Sequence, residues 1–401
     1  MRTIQVACGA LVLIVTLTGC SLFGGGAEPT ATPIPTEGPA APPASPSEPP
    51  TAAPTEEPSG QGGGSAGTAG PGDILFIRGG QVWAVGSEGG GERPITPTAT
   101  DSRLEHLALS PDGRYLAFTL NSVELDLVDL QQGIMTTLDA MDAGSLGPLA
   151  WGLDSANLFY HRLTLDPATF LPTRSAVMHA AIPPAEGGPM AVVESDLASG
   201  PLIYPGFALD GQMLVQHIAA ATGGVGEWFT LDLASATQTP VQAGFAVADV
   251  SPDGTRLLLF RQEDAALGGA VPIYVADFGL GGALNPVQLS PVGETAAYSS
   301  PRFGPDGSRI LAIRRDLSQG GAPAQIALLE PNENGSYVVT PLAGLEDFDV
   351  VAFAWNGANG VVAQGIPVGG TIPELWVLSL DGSTPAARLT TGEFPLVVPG
   401  S

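Results

Sequence analysis

The chain contains no lysine: all 14 of its basic residues are arginine, against 40 acidic ones, and the formal charge is -26. Without lysine there is no Schiff-base chemistry, no pyridoxal-phosphate attachment and no P-loop lysine. So few cations leave no basic stripe for a phosphate backbone, which excludes nucleic acid as a partner. Cysteine is almost as scarce. Cys8 and Cys20 are the only two and both lie near the start, so the rest of the chain has no disulfide and no thiol nucleophile. Long apolar runs are missing too, since the stretch from Val6 to Val15 is too short to span a bilayer.

Glycine and proline are plentiful, at 54 and 38 residues, while 44% hydrophobic content still allows a sizeable core. The N-terminus begins Met-Arg-Thr, continues with the short apolar run, and reaches Leu17-Thr18-Gly19-Cys20. An early cation, a short apolar stretch and small residues before a cysteine form an export signal with its cleavage site. Leu-Thr-Gly-Cys resembles the bacterial lipobox. That resemblance implies cleavage before Cys20, lipidation of its sulfur and anchoring by several acyl chains, which hold a protein stably where one chain does not. The partner there is a membrane, and the protein faces outward from the cell membrane or outer membrane.

Residues 1–19 are thus read as a signal peptide and 20–72 as a tether. From Gly24 to Gly72 the chain is Pro, Thr, Ala, Gly, Ser and a few Glu, as in Pro-Thr-Ala-Thr-Pro-Ile-Pro-Thr (29–36). With almost no large apolar side chains it cannot offset the entropy of ordering, and disorder is expected. Gly63-Gly64-Ser65-Ala66-Gly67 matches a hydrolase nucleophile elbow only formally, because that elbow needs a strand before it and a helix after it.

Residues 73–401 repeat. Ser110-Pro111-Asp112-Gly113-Arg114-Tyr115-Leu116-Ala117-Phe118 returns as Ser251-Pro252-Asp253-Gly254-Thr255-Arg256-Leu257-Leu258-Leu259, and again as Gly304-Pro305-Asp306-Gly307-Ser308-Arg309-Ile310-Leu311-Ala312. Weaker copies centre on Asp154, Asp210 with Gly211, and Asn356 with Gly357, and successive centres are 42, 56, 43, 53 and 50 residues apart. Each reads as a hairpin in which Asp or Asn accepts backbone N–H bonds, Gly takes positive φ, and an alternating strand follows. A second element follows at a variable distance, as in Val82-Trp83-Ala84-Val85 and Ile273-Tyr274-Val275-Ala276-Asp277. Short strands at this spacing without helical periodicity predict an all-β fold, a β-propeller of four-stranded blades. Asp73–Ile95 supplies all but the first strand of a unit, and Glu393–Gly400 supplies the missing one. Joining them predicts seven blades, one shared between the termini; six, with the ends merely capping, is the alternative.

The Ser-Pro-Asp-Gly turn, the alternating strand and the Ile-Tyr-Val-x-Asp strand resemble the TolB-like propeller repeat over roughly 73–401. The resemblance implies the fold and a habit of binding partners, not an activity, because function lives in sites grafted on folds.

No catalytic constellation stands out. His106, His161, His179 and His217 have no metal-ligand spacing, although blades could gather distant ones around the axis, as in metal-dependent propeller lyases. Neither a metal nor another cofactor is expected. Asp112, Asp253 and Asp306 are read as turn residues rather than general acids. The segments after the second strand of each unit are short around Gly79-Gly80 and Asn121-Ser122, and longer at His161–Arg174, Ala219–Gly226, Gln262–Ala270, Asp316–Ala322 and Gly365–Thr371. All lie at one topological point, so they project from one face, and loops on a rigid scaffold carry binding. Phe170, Leu171, Trp228, Glu263 and Asp264 are the candidate contacts there, for a protein or extracellular ligand that is cationic or neutral. The reading is a surface-anchored, non-enzymatic binding module; a hydrolase or lyase acting on polysaccharide or peptide in the axial channel is the alternative.

Overall fold

The computed structural model describes residues 64–97, 102–209, 211–219, 226–266, 270–279 and 285–399. The signal segment, Cys20, the tether as far as residue 63, and Asp210 lie outside the described residues.

Alternating apolar side chains and Gly-containing turns give seven antiparallel sheets. Blade 1 joins Glu393–Val397 to Asp73–Arg78, Gln81–Gly86 and Arg93–Pro94. Blade 2 is Leu104–Leu109, Tyr115–Leu120, Glu124–Asp129 and Ile134–Ala140; blade 3 is Gly144–Trp151, Asn157–Leu165, Pro172–Ala181 and Met190–Asp196. Blades 4 to 7 occupy 202–240, 245–288, 296–341 and 348–391. The count is seven, and the split blade closes as the sequence predicts. Ile74 pairs with Val397, and Val398 N–H donates to Asp73 O at 2.9 Å. Closure through a shared blade pairs the strand edges that an open ring would leave free.

The turns show why the Ser-Pro-Asp-Gly repeat is used. Ser110 Oγ donates to Asp112 Oδ1 at 2.6 Å and accepts from Tyr115 N–H at 2.9 Å, tying the turn to the strand it launches. Asp112 Oδ1 also accepts from Arg114 N–H at 3.0 Å, and Gly113 holds φ 71°. Asp253 and Gly254 repeat this, with Ser251 donating at 2.6 Å and the same φ of 71°. Asp306 accepts from Ser308 N–H at 2.8 Å, and Gly307, Gly211 and Gly357 have φ of 71°, 67° and 64°. In blade 3, Asp154 accepts from Ala156 N–H at 2.9 Å, and Ser155 takes the left-handed position at φ 57°.

There is no single core. Seven buried clusters lie one at each blade–blade interface, because successive side chains of a strand face opposite neighbours. Leu116 and Phe118 pack toward blade 1, while Ala117 between them packs toward blade 3. The first strand of every blade also carries an extra residue, a β-bulge, seen between Glu105 and Ala108 in blade 2 and between Val247 and Asp249 in blade 5. Such bulges sharpen the strand's twist where it turns around the ring axis.

The N-terminal edge differs from the compositional reading. Residues 64–72, placed with the tether, run along the seam between blades 1 and 2. Gly64 and Ser65 pair with Met135 and Ile134 as a fifth strand on blade 2. Ala66, Gly67 and Ala69 donate N–H bonds to Gly133, Ile95 and Leu130 at 2.8, 2.7 and 2.9 Å, and Ala69 is buried in the cluster shared by the two blades. Backbone hydrogen bonding holds this strap, which explains why a search for large apolar residues overlooks it.

Candidate functional site

Antiparallel order fixes the faces of the disc. First and third strands run one way and second and fourth the other. The Asp turns and the third-to-fourth connections therefore share one face, and the second-to-third loops share the opposite one with the blade-to-blade crossings.

On that second face, blade 3 rises furthest. Its second and third strands reach nine and ten residues. Most of the segment 161–174, expected to be loop, is therefore hairpin, and only Asp166–Leu171 turns. The tip is tightly bonded: Phe170 N–H donates to Asp166 O at 2.7 Å and Asp166 N–H to Leu171 O at 2.9 Å. Asp166 Oδ1 accepts from the N–H groups of Ala168 and Thr169 at 2.9 and 2.8 Å. The Thr169 bond, then that of Ala168, holds the Asp166 carboxyl below its ordinary pKa. On this frame Phe170 and Leu171 are 70% and 65% exposed, and Phe170 sits at φ 56°, a strained conformation for a bulky residue. Sequence reasoning picked out the dipeptide. The rigidity is encoded in Asp166 and Thr169, whose spacing makes a side-chain-capped turn.

The other predicted contacts fall differently. Trp228 packs against Phe207 with ring centroids 6.4 Å apart and belongs to the cluster between blades 4 and 5, so it is a packing residue. Glu263 and Asp264 lie in a single helical turn, Gln262–Ala266, on the loop face; Glu263 is exposed and pairs with Arg261 at 3.5 Å. Val292, Val368 and Ile372, also exposed on this face, were not anticipated, because isolated apolar residues in Gly-rich loops give no periodic signal.

The histidines do not converge on one centre. His161 is 1% exposed; its Nε2 lies 3.0 Å from Ser175 Oγ, its ring meets Tyr204 at 4.3 Å, and its Nδ1 is buried without a hydrogen-bond partner among the described residues. Burial first, and the nearby His106 second, push its pKa down to about 3, so it stays neutral. His217 stacks on Phe229, His179 lies tilted against Phe159 with centroids 5.2 Å apart, and burial lowers the pKa of both. Among the described residues no group of three or more His, Cys, Asp or Glu side chains could hold a metal ion. No helix among them is long and apolar enough to cross a membrane.

The cations are already engaged. Every described arginine forms an ion pair except Arg256, which donates to Gly307 O. What remains free on the surface is carboxylate.

No family model and no curated protein matches the chain. Among solved structures it is similar to an oligogalacturonate lyase from Vibrio parahaemolyticus, 13% identical with a TM-score of 0.56, over 75% of this chain and 83% of that one. It is also similar to prolyl oligopeptidase B from Galerina marginata, 11% identical with a TM-score of 0.58, over 84% of this chain and 51% of that one. The chain thus spans about half the length of that peptidase. A functionally unknown protein from Desulfotomaculum acetoxidans is 11% identical with a TM-score of 0.52, over 82% and 99% of the two chains. At such identities the likeness is one of architecture, and what it shows is the fold: an all-β propeller of seven four-stranded blades.

Proposed function

We propose that the chain is a lipoprotein anchored through Cys20 and facing outward from the membrane, whose propeller is a non-enzymatic binding module for another protein. The TolB-like turn repeat supports the module reading, and Leu-Thr-Gly-Cys supports the anchor. The observation that carries the binding face is the Phe170–Leu171 tip. Two exposed apolar side chains stand on a turn fixed by its own hydrogen bonds, and aromatic anchors that become buried in a partner's pocket dominate interface energies. Strain held at an exposed Phe contributes nothing to the fold, and residues kept in such conformations cluster where a protein meets its ligands. The fitting partner has an apolar pocket for this tip and a neutral or basic surround, since the arginines are engaged and the carboxylates are in excess.

The test is site-specific photocrosslinking in intact cells, with benzoyl-phenylalanine placed at 170 and, as control, at the exposed Val338 on the outer strand of blade 6. The reading expects one discrete adduct at 170, absent at 338 and lost on adding Leu171→Ser. Equal labelling at both positions overturns it. The anchor is tested separately: metabolic labelling with an alkyne fatty acid marks the wild-type chain and not Cys20→Ala, and labelling of both contradicts a lipidated Cys20.

A further inference from the structure

The opposite face, bearing the Asp turns, carries a cleft that the binding reading above does not use. It lies between blades 3 and 4 and has a volume of about 600 Å³, within the range of small-molecule sites. Leu153, Phe159, Val192, Leu209 and Leu233 form its apolar walls. Along one side runs a polar chain of three residues. Asn157 Nδ2 donates to Asp154 Oδ2 at 2.6 Å, and His179 Nε2 lies 2.6 Å from Asn157 Oδ1.

The chemistry of this chain is fixed by its first member. A carboxylate only accepts, so the Asn157 amide must turn its NH₂ toward Asp154 and its carbonyl toward His179. His179 then carries its proton on Nε2 and donates it, which leaves Nδ1 as an acceptor with no donor among the described residues. The neutral form persists because burial lowers the His179 pKa, an effect the Asp154 charge only partly opposes. Asp154 differs from the other described turn aspartates in its surroundings. Asp306 pairs with Arg309 at 2.7 Å, and Asp112 and Asp253 each accept a serine hydroxyl, whereas Asp154 has neither a serine donor nor an ion pair among the described residues. Blade 3 has Gly152, Ala156 and Asn157 where blade 2 has Ser110, Arg114 and Tyr115 and blade 5 has Ser251, Thr255 and Arg256. Among the described residues, the cleft therefore combines apolar walls, one uncompensated carboxylate and one free imidazole acceptor, with no arginine in its lining.

We propose that this cleft binds a small organic cation, an ammonium group on an apolar or aromatic body, with the ammonium at Asp154 and the body between Phe159, Leu209 and Leu233. Charge complementarity selects the sign, and the walls select the body.

Titration calorimetry of the intact chain with phenethylammonium, and with phenylacetate as its charge-reversed counterpart, tests this. The cation is expected to bind with a dissociation constant on the order of 1 mM and the anion not at all. Asp154→Asn keeps an acceptor for the turn and should weaken the cation roughly tenfold. Leu233→Ala and His179→Phe should each weaken it several-fold. Asp253→Asn, in the equivalent turn of blade 5, should leave it unchanged. Equal binding of cation and anion, no binding of the cation at tens of millimolar, or an equal loss in Asp253→Asn each overturns the proposal. The last outcome would mean that cations merely gather on an acidic surface. None of these results bears on the Phe170 face.

Discussion

Among single residues, Asp126 is the clearest liability. It is 1% exposed on the third strand of blade 2, with one short contact, a 2.7 Å bond from the Thr137 hydroxyl. Burial raises its pKa to about 6; Thr137 works against this, and the neighbouring Glu124 adds to it. A carboxylate raised in the fold contributes stability when protonated, below its unfolded pKa, and that stability fades as pH climbs through about 6. At pH 7.5 the cost is about 3 kcal/mol. Asp126→Asn should accordingly raise the melting temperature by a few degrees at pH 7.5 and leave it unchanged near pH 4. A gain that is the same at both pH values would contradict the account. Phe170 gives a second prediction at this scale. Phe170→Gly relieves a bulky residue at φ 56°, so it should unfold no more readily than wild type while no longer co-purifying with the partner that the crosslink identifies. A marked loss of stability would make Phe170 a structural residue. Side-chain roles of this kind are hard to read from sequence. Trp228 sits beside a long loop yet fills a blade interface, because burial depends on which neighbour a strand faces.

At the level of elements, the repeat was legible because its turn is chemical. Ser, Asp and Gly occur where a hydroxyl, a carboxylate acceptor and positive φ are each required, so three copies reveal the hairpin without any structure. Extent was less legible. Strands of blade 3 run on through 161–165 and 172–174, where polar and apolar residues mix and no turn residue marks the true loop before Asp166. The turns also yield a graded prediction. Gly113 and Gly254 share φ 71°, so alanine at either meets the left-handed penalty of ~1 kcal/mol or more. A Cβ on Gly113 would lie 2.7 Å from Pro399 Cδ, whereas on Gly254 its nearest neighbour is Leu209 Cδ2 at 3.6 Å. Urea denaturation should find Gly113→Ala the more destabilising of the two by about 1 kcal/mol or more. Equal losses would mean that Pro399 yields without cost.

For the whole molecule, seven interfaces of one kind make a ring whose weak point is its closure. Glu393–Val397 completes blade 1 through backbone pairing, and the strap at 64–72 adds backbone N–H donors from Ala66, Gly67 and Ala69 to the seam between blades 1 and 2, where Thr68 O accepts from Arg93 Nε at 2.9 Å, and one from Gly72 to Val398 O at 2.9 Å. At ~1 kcal/mol net per bond, removing residues 64–72 should cost a few kcal/mol and lower the denaturation midpoint without changing the β-sheet circular dichroism. An unchanged midpoint would mean the strap is ornamental. Blade number was legible from the incomplete unit at each end of the repeat. The strap was not, because glycine and alanine bonded through their backbones look like linker in any compositional reading. On the proposed reading, binding is likewise a property of the whole disc, since a ring whose described arginines are engaged presents loops and carboxylates to a partner. The most direct test of that claim is the photocrosslink at Phe170 in intact cells. A single adduct at 170, abolished by Leu171→Ser and absent at Val338, is the predicted result. Labelling that is indifferent to position, or no adduct at 170 from a chain that is folded and exported, would contradict it.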